Sequence, residues 1–161
     1  MAVLQTLAEQ ALGWLVIAVS LVVPGVVATI CWSPFLASER IRSLFKHVPP
    51  FESMVLTYVV VGIVASLPYI LGITAVIASL GVDEIWGPPI LGATMVLTLC
   101  YCIGIPLFGV LGLPRLGIDW DPTGYGRSTW LLLIAGGIWY AGIFALPLTV
   151  LGLILSLPGG W

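Results

Sequence analysis

Four stretches of this chain carry no Asp, Glu, Lys or Arg and consist almost wholly of apolar residues: 11–32, 54–80, about 89–113 and about 129–157. At about 1.5 Å of rise per helical residue, each is long enough to cross a hydrocarbon core about 30 Å thick. The second and fourth exceed that length, which predicts tilt or kinking. The expected fold class is therefore all-α: a polytopic integral membrane protein with four transmembrane helices arranged as two hairpins. Residues 1–161 form a single membrane domain, with loops at 33–53 and 114–128 and a turn at 81–88. No segment remains that could build a soluble catalytic domain.

Composition agrees with this reading. Charged residues make up 7% of the chain and mean hydropathy is +1.19, against about a quarter charged in soluble proteins. With only 12 charged residues and a net charge of −2, nucleic acid is excluded as a partner. The segment before the first apolar run holds Glu9 and no Lys or Arg, and no small-x-small cleavage site follows. That run is therefore read as a retained helix and not as a cleaved signal.

The basic residues set the predicted orientation. Arg40, Arg42 and Lys46 lie in the first loop and Arg115 and Arg127 in the third, and the other connections have none. By the positive-inside rule both loops face the cytoplasm, both termini face outward, and Asp83 and Glu84 mark an external turn of a plasma-membrane protein. Trp14, Trp32, Trp86, Trp130 and Trp161 fall near helix ends, as interfacial rings do, whereas Trp139 and Tyr140 are expected deeper, against another helix.

The segment Ser38–His47, SERIRSLFKH, holds three of the five basic residues and the single histidine. Read as a helix, it places Ile41, Leu44, Phe45 and Val48 on one stripe, with Arg40, Arg42, Lys46 and His47 largely off it. A short amphipathic helix lying in the interface is predicted, its apolar side on acyl chains and its basic side on lipid phosphates. Arg40, Arg42, Lys46, Arg115 and Arg127 are the candidate headgroup-binding residues.

Each predicted span contains a proline: Pro24, Pro68, Pro106 and Pro147. Proline removes one backbone bond and clashes with the preceding turn, so each helix should bend. In lipid the freed carbonyl needs another partner, for which Ser20 and Ser66 are candidates. GIVASLPYILG at 62–72 and GIFALPLTVLG at 142–152 share a glycine pair enclosing a Leu-Pro step, a hint of two hairpins in tandem. Gly137, Ala141 and Ala145 form a small-x-x-x-small ladder that Gly104 and Gly112 on the third helix could receive, inside the bundle or in a homo-oligomer.

Candidate chemistry is sparse. No carboxylate, histidine or basic residue falls within the spans, which argues against proton-coupled transport. Cys100 and Cys102 project from nearly opposite sides of one helix and cannot share a metal, and Cys31 is alone. The single His47 lies in a loop, which disfavours haem. Asp119, Asp121, Thr123 and Gly124 imitate the start of a calcium loop, but Trp130 stands where the closing Glu belongs and Pro122 interrupts the pattern. A turn is expected there instead, with Asp119 or Asp121 pairing with Arg115 or Arg127. Ser43 and His47 share a helical side without a third group to make a nucleophile. No catalytic residue, metal or cofactor is assigned.

VVPGVVATICWSP at 22–34 and ESMVLTYVVVGIVASLPYILG at 52–72 together resemble an uncharacterised family of archaeal membrane proteins, a domain of unknown function. In that family a Pro-Gly helix end precedes an acidic residue and a second helix with an internal proline. The chain has Glu52-Ser53 where the family carries a Glu-Arg step. The resemblance implies an archaeal plasma membrane and no activity.

Three functions follow as expectations. The first is a non-enzymatic accessory or scaffold subunit of a membrane complex. The second is a small passive transporter or channel with a midplane cavity at the proline kinks. The third is a protein that binds or modifies anionic lipid through its basic loops. The lipid bilayer is the partner common to all three.

Overall fold

The computed structural model describes residues 2–81 and 84–157. The placements predicted for Glu9, Trp14, Asp83 and Trp161 fall outside the described residues and side chains. The described chain is all-helical, in the order α1 (Ala2–Trp32), a 3-10 turn (Ser33–Ala37), α2 (Glu39–His47), α3 (Met54–Ser79), α4 (Gly87–Leu107), a π-helical segment (Phe108–Gly112), α5 (Leu113–Arg115) and α6 (Arg127–Ile154). Four of these stretches, Leu15–Ala37, Met54–Ser79, Gly87–Arg115 and Arg127–Ile154, are long and apolar enough to cross a membrane.

Local chemistry explains the boundaries. The Ser53 hydroxyl caps α3 by accepting from the Leu56 N–H at 3.4 Å. Pro88 and Pro89 open α4, where the missing N–H costs nothing. Pro106 lies inside α4, and the backbone passes into the π-helical segment two residues later, a common adjustment where the regular ladder is interrupted. Gly117, at φ 80°, ends α5. The turn there is closed by Ile118 N–H to the Leu113 carbonyl and Gly117 N–H to that of Pro114, both 3.0 Å.

The four long helices pair as α1 with α3 and α4 with α6, and the two hairpins meet through α3–α4 and α1–α6. Small residues make the first pairing close. A Cβ added to Gly62 would stand 2.2 Å from Thr29 Oγ1, and one added to Gly25 would stand 2.6 Å from Ser66 Oγ. In the second pairing, a Cβ on Gly137 would lie 3.1 Å from the Tyr101 carbonyl oxygen. Ala141 is fully buried and Ala145 partly so. The surface facing Gly137 is thus Tyr101 and Ile105, because Gly104 points into open space and Gly112 faces the Phe108 ring of its own turn.

Pro24, Pro68 and Pro147 lie inside α1, α3 and α6. At Pro68 the repair differs from that expected of Ser66. The Ser66 hydroxyl donates to the Ile63 carbonyl at 2.7 Å, whereas Pro68 frees the carbonyl of Val64. The neighbouring Ala65 carbonyl accepts from the Tyr101 hydroxyl of α4. Ser20 is exposed.

Candidate functional site at the basic end

The first loop folds back under the bundle. Helix α2 forms over the predicted amphipathic segment, but its apolar stripe does not lie on acyl chains. Ile41, Leu44 and Phe45 are buried in the protein's own core. Phe45 meets Trp32 edge-on at 5.7 Å and Tyr58 edge-on at 5.2 Å. A 3-10 turn of five residues links α1 to α2. The aromatic end of α1 offers α2 a better-packed apolar surface than fluid chains do.

Trp32 is accordingly a core residue and not an interfacial ring, only 8% exposed. It stacks on Tyr58 at 5.9 Å and donates its Nε1–H to the Gly136 carbonyl at 3.0 Å. From Trp32 a column of rings runs inward through Tyr140 and Tyr101 to Tyr69 and Phe144. Their polar tips reach backbone carbonyls of neighbouring helices. Tyr140 donates to Gly62 at 2.6 Å and Tyr58 to Thr29. Tyr69 shares a 2.9 Å hydrogen bond with the Thr98 hydroxyl. Trp139, expected deep, is 53% exposed but does bond across helices, to the Cys31 carbonyl at 3.0 Å.

A polar seam joins the two basic loops. Arg40 Nη1 donates to Ser128 Oγ at 2.5 Å and to Thr129 Oγ1 at 3.0 Å, and Thr129 Oγ1 donates to Asp121 Oδ2 at 2.6 Å. Asp121 Oδ1 accepts from both the backbone and the hydroxyl of Thr123, at 3.0 and 2.7 Å. Ser43 Oγ donates to the Trp120 carbonyl at 2.6 Å. Trp120 is fully buried, and its Nε1–H meets the Gly109 carbonyl at 2.7 Å. Burial alone would raise the Asp121 carboxyl. The hydrogen bonds from Thr129 and Thr123 and the charge of Arg40 outweigh it and hold the group below the usual carboxylate range.

The cation that serves Asp121 is therefore Arg40, relayed through Thr129, and not Arg115 or Arg127. Asp119 accepts instead from the Tyr125 hydroxyl at 2.8 Å. Among the described residues the one ion pair is Arg42 with Glu39, at 3.8 Å and largely exposed, which contributes little. Lys46, Arg115 and Arg127 are exposed. The seam thus places all five predicted headgroup-binding residues at one end of the bundle and commits only Arg40 to an internal role. The Ser43–His47 pair is also internal to α2, with His47 Nδ1 2.8 Å from the Ser43 carbonyl. Among the described residues no three His, Cys, Asp or Glu side chains gather to hold a metal ion.

Between α2 and the cores of α3, α4 and α6 lies a cavity of about 210 Å³. Its walls are apolar side chains, among them Leu44, Phe45, Ile105 and Leu133, together with Gly62 and Gly109. Val61 and Phe108 stand at its edge, 37% and 57% exposed on the outer surface of the bundle.

Trp120, Thr129 and the pairs Gly25/Thr29 and Gly62/Ser66 carry much of this architecture; of these, sequence points only to Ser66, as a partner for a proline-freed carbonyl, and to Gly62, as the start of a repeated segment. The two pairs had a readable signal, since each is a small-x-x-x-small step on facing helices. Trp120 and Thr129 had none, because their partners lie on other elements.

A family described as a domain of unknown function (DUF8162) matches residues 12–159, and the chain belongs to that family. The match reaches well beyond the 22–72 segment on which a family of unknown function was expected. No curated protein and no solved structure matches the chain.

Proposed function

We propose that this member of the DUF8162 family is a non-enzymatic, multi-pass membrane protein that binds anionic lipid headgroups at its basic end. The observation that carries the reading is the gathering of both basic segments on one face, held there by the Arg40–Thr129–Asp121 seam. Arg42, Lys46, Arg115 and Arg127 are left exposed on that face. Such a cluster beside apolar spans attracts anionic lipid by charge. By the same charges that face is cytoplasmic, and both termini are outside. The resemblance over residues 22–72 supports an archaeal plasma membrane as the location.

The test is lipid enrichment. Full-length protein in bilayer discs of mixed phosphatidylglycerol and phosphatidylcholine should retain the anionic lipid preferentially after transfer to mild detergent. Reversing Arg42, Lys46 and Arg115 to Glu should erase that preference. Equal retention of both lipids by the unaltered protein would refute the reading.

A second reading, an accessory or scaffold subunit, is favoured by a different observation. From Leu12 to Ser20 every described side chain of α1 is exposed, so this part of the helix stands clear of the rest of the bundle. A cysteine at Ile17 should then cross-link to another membrane helix in native membranes. Labelling by lipid-phase reagents alone would count against a partner.

A further inference from the structure

We infer that the cavity beneath α2 is a binding site for one lipid acyl chain, entered sideways from the bilayer between Val61 and Phe108. The inference rests on the lipid-binding reading above and adds to it the place where the tail is held.

The wall chemistry selects the occupant. A buried water needs two to four polar partners. The polar atoms at the wall are already committed, Trp32 Nε1–H to the Gly136 carbonyl and the Tyr140 hydroxyl to that of Gly62. No arrangement of water there is satisfied, so the space accepts hydrocarbon. At about 210 Å³ it exceeds the apolar cavity of about 150 Å³ that stays dry and takes up benzene.

The geometry selects the source. The mouth residues Val61 and Phe108 lie on stretches apolar enough to cross a membrane and face outward, so bilayer chains reach the opening without crossing water. Phe108 begins the π-helical segment, and the backbone of Gly62 and Gly109 forms part of the wall. Charge selects the lipid class. Lys46 follows Phe45 on the helix that roofs the cavity, and Arg115 stands two residues beyond Leu113 in its wall. Both cations are exposed, and the headgroup of an inserted anionic lipid would be drawn toward them.

The test is native mass spectrometry of the full-length protein taken from discs of palmitoyl-oleoyl phosphatidylglycerol or phosphatidylcholine. One diacyl lipid should remain bound through detergent exchange. Val61→Phe, which blocks the mouth, should lower its occupancy roughly tenfold. Val64→Phe places the same bulk on the outer face of α3, away from the cavity, and should leave occupancy unchanged. If the blocked variant does not fold, phosphatidylglycerol with a diazirine-bearing tail should cross-link the unaltered protein at Leu44 or Phe45, which annular lipid cannot reach. Absence of a retained lipid, equal occupancy in both variants, a dimer in place of a lipid-bound monomer, or no cross-link to α2 would each overturn the site. Tail binding that Val61→Phe abolishes but that is equal for the two headgroups would refute the headgroup reading and leave this one standing.

Discussion

The two ends of the bundle are made of equally apolar helices and are held together differently. At the basic end α2, the aromatic column and the Arg40–Asp121 seam tie both hairpins into one unit. At the opposite end α1 stands clear over Leu12–Ser20, and the close approaches involve α4: a Cβ on Gly72 of α3 would stand 3.1 Å from Leu97, and one on Gly87 2.0 Å from Ser156 Oγ. In lipid, hydrocarbon contact between helices gains nothing over hydrocarbon contact with chains, so small residues and hydrogen bonds decide which surfaces stay together. The basic end has both; from Leu12 to Ser20 the described side chains of α1 are exposed and Gly13 meets no other helix. Stability should therefore be concentrated at the basic end, with the far half of α1 left for lipid or another helix.

The largest effect that would break this contrast concerns glycine. Gly62→Leu drives a side chain into Thr29, whose Oγ1 would be 2.2 Å from the new Cβ. Backbone displacement of this kind costs about 3 kcal/mol, and thermal unfolding in detergent should show it as a large fall in midpoint. Gly13→Leu, with nothing within 4 Å of its Cβ, should leave the midpoint where it is. Equal losses at the two sites would mean that the ends are not held differently.

Next in size is the seam. Arg40→Met removes the cation from Thr129 and Asp121 and should cost about 2 kcal/mol, as when a buried charged group loses its partner. Arg127→Met, at an exposed position, should change stability by less than about 0.5 kcal/mol. A cycle combining Arg40→Met with Thr129→Val should show coupling, since the two side chains touch at 3.0 Å.

Acidification is a reversible and smaller version of the same break. The Asp121 carboxyl is depressed in the folded protein, so its contribution is present above the unfolded value of about 3.9 and disappears as pH falls through the lower folded value. The unfolding midpoint should hold down to about pH 4 and decline below it. Asp121→Asn should remove that part of the decline, and an unchanged acid limb would show that the seam adds no pH-linked stability.

These contrasts follow how legibility in the sequence was divided. The four spans could be read because an uncharged apolar run has few places to go but lipid. The amphipathic stripe of α2 was also legible, but what it faces was not. Ile41, Leu44 and Phe45 are residues that acyl chains could also cover, and the Trp32 and Tyr58 rings that Phe45 meets instead lie on other helices. The seam was hidden for another reason. Arg40 and Ser128 are 88 residues apart, and nearer cations, Arg115 and Arg127, looked like the natural partners of the aspartates. The aromatic tips were legible only in kind: a buried Tyr140 hydroxyl must find an acceptor, but nothing local names the carbonyl of Gly62.

That bond gives the finest test of the comparison. Tyr140→Phe keeps the ring stacked on Tyr101, whose centroid is 5.8 Å away, and deletes the 2.6 Å bond to Gly62. Hydrogen bonds between membrane helices average about 0.6 kcal/mol, so a midpoint shift of only a degree or two is expected from the hydroxyl. The Gly62 carbonyl is also positioned to accept within α3, so it is not left unpartnered. A much larger loss would mean that the hydroxyl sets the register of α6 against α3. The basic end would then be held by directed bonds more than by the packing of Gly62 on Thr29, and Gly62→Ala should prove milder than its 2.2 Å approach implies.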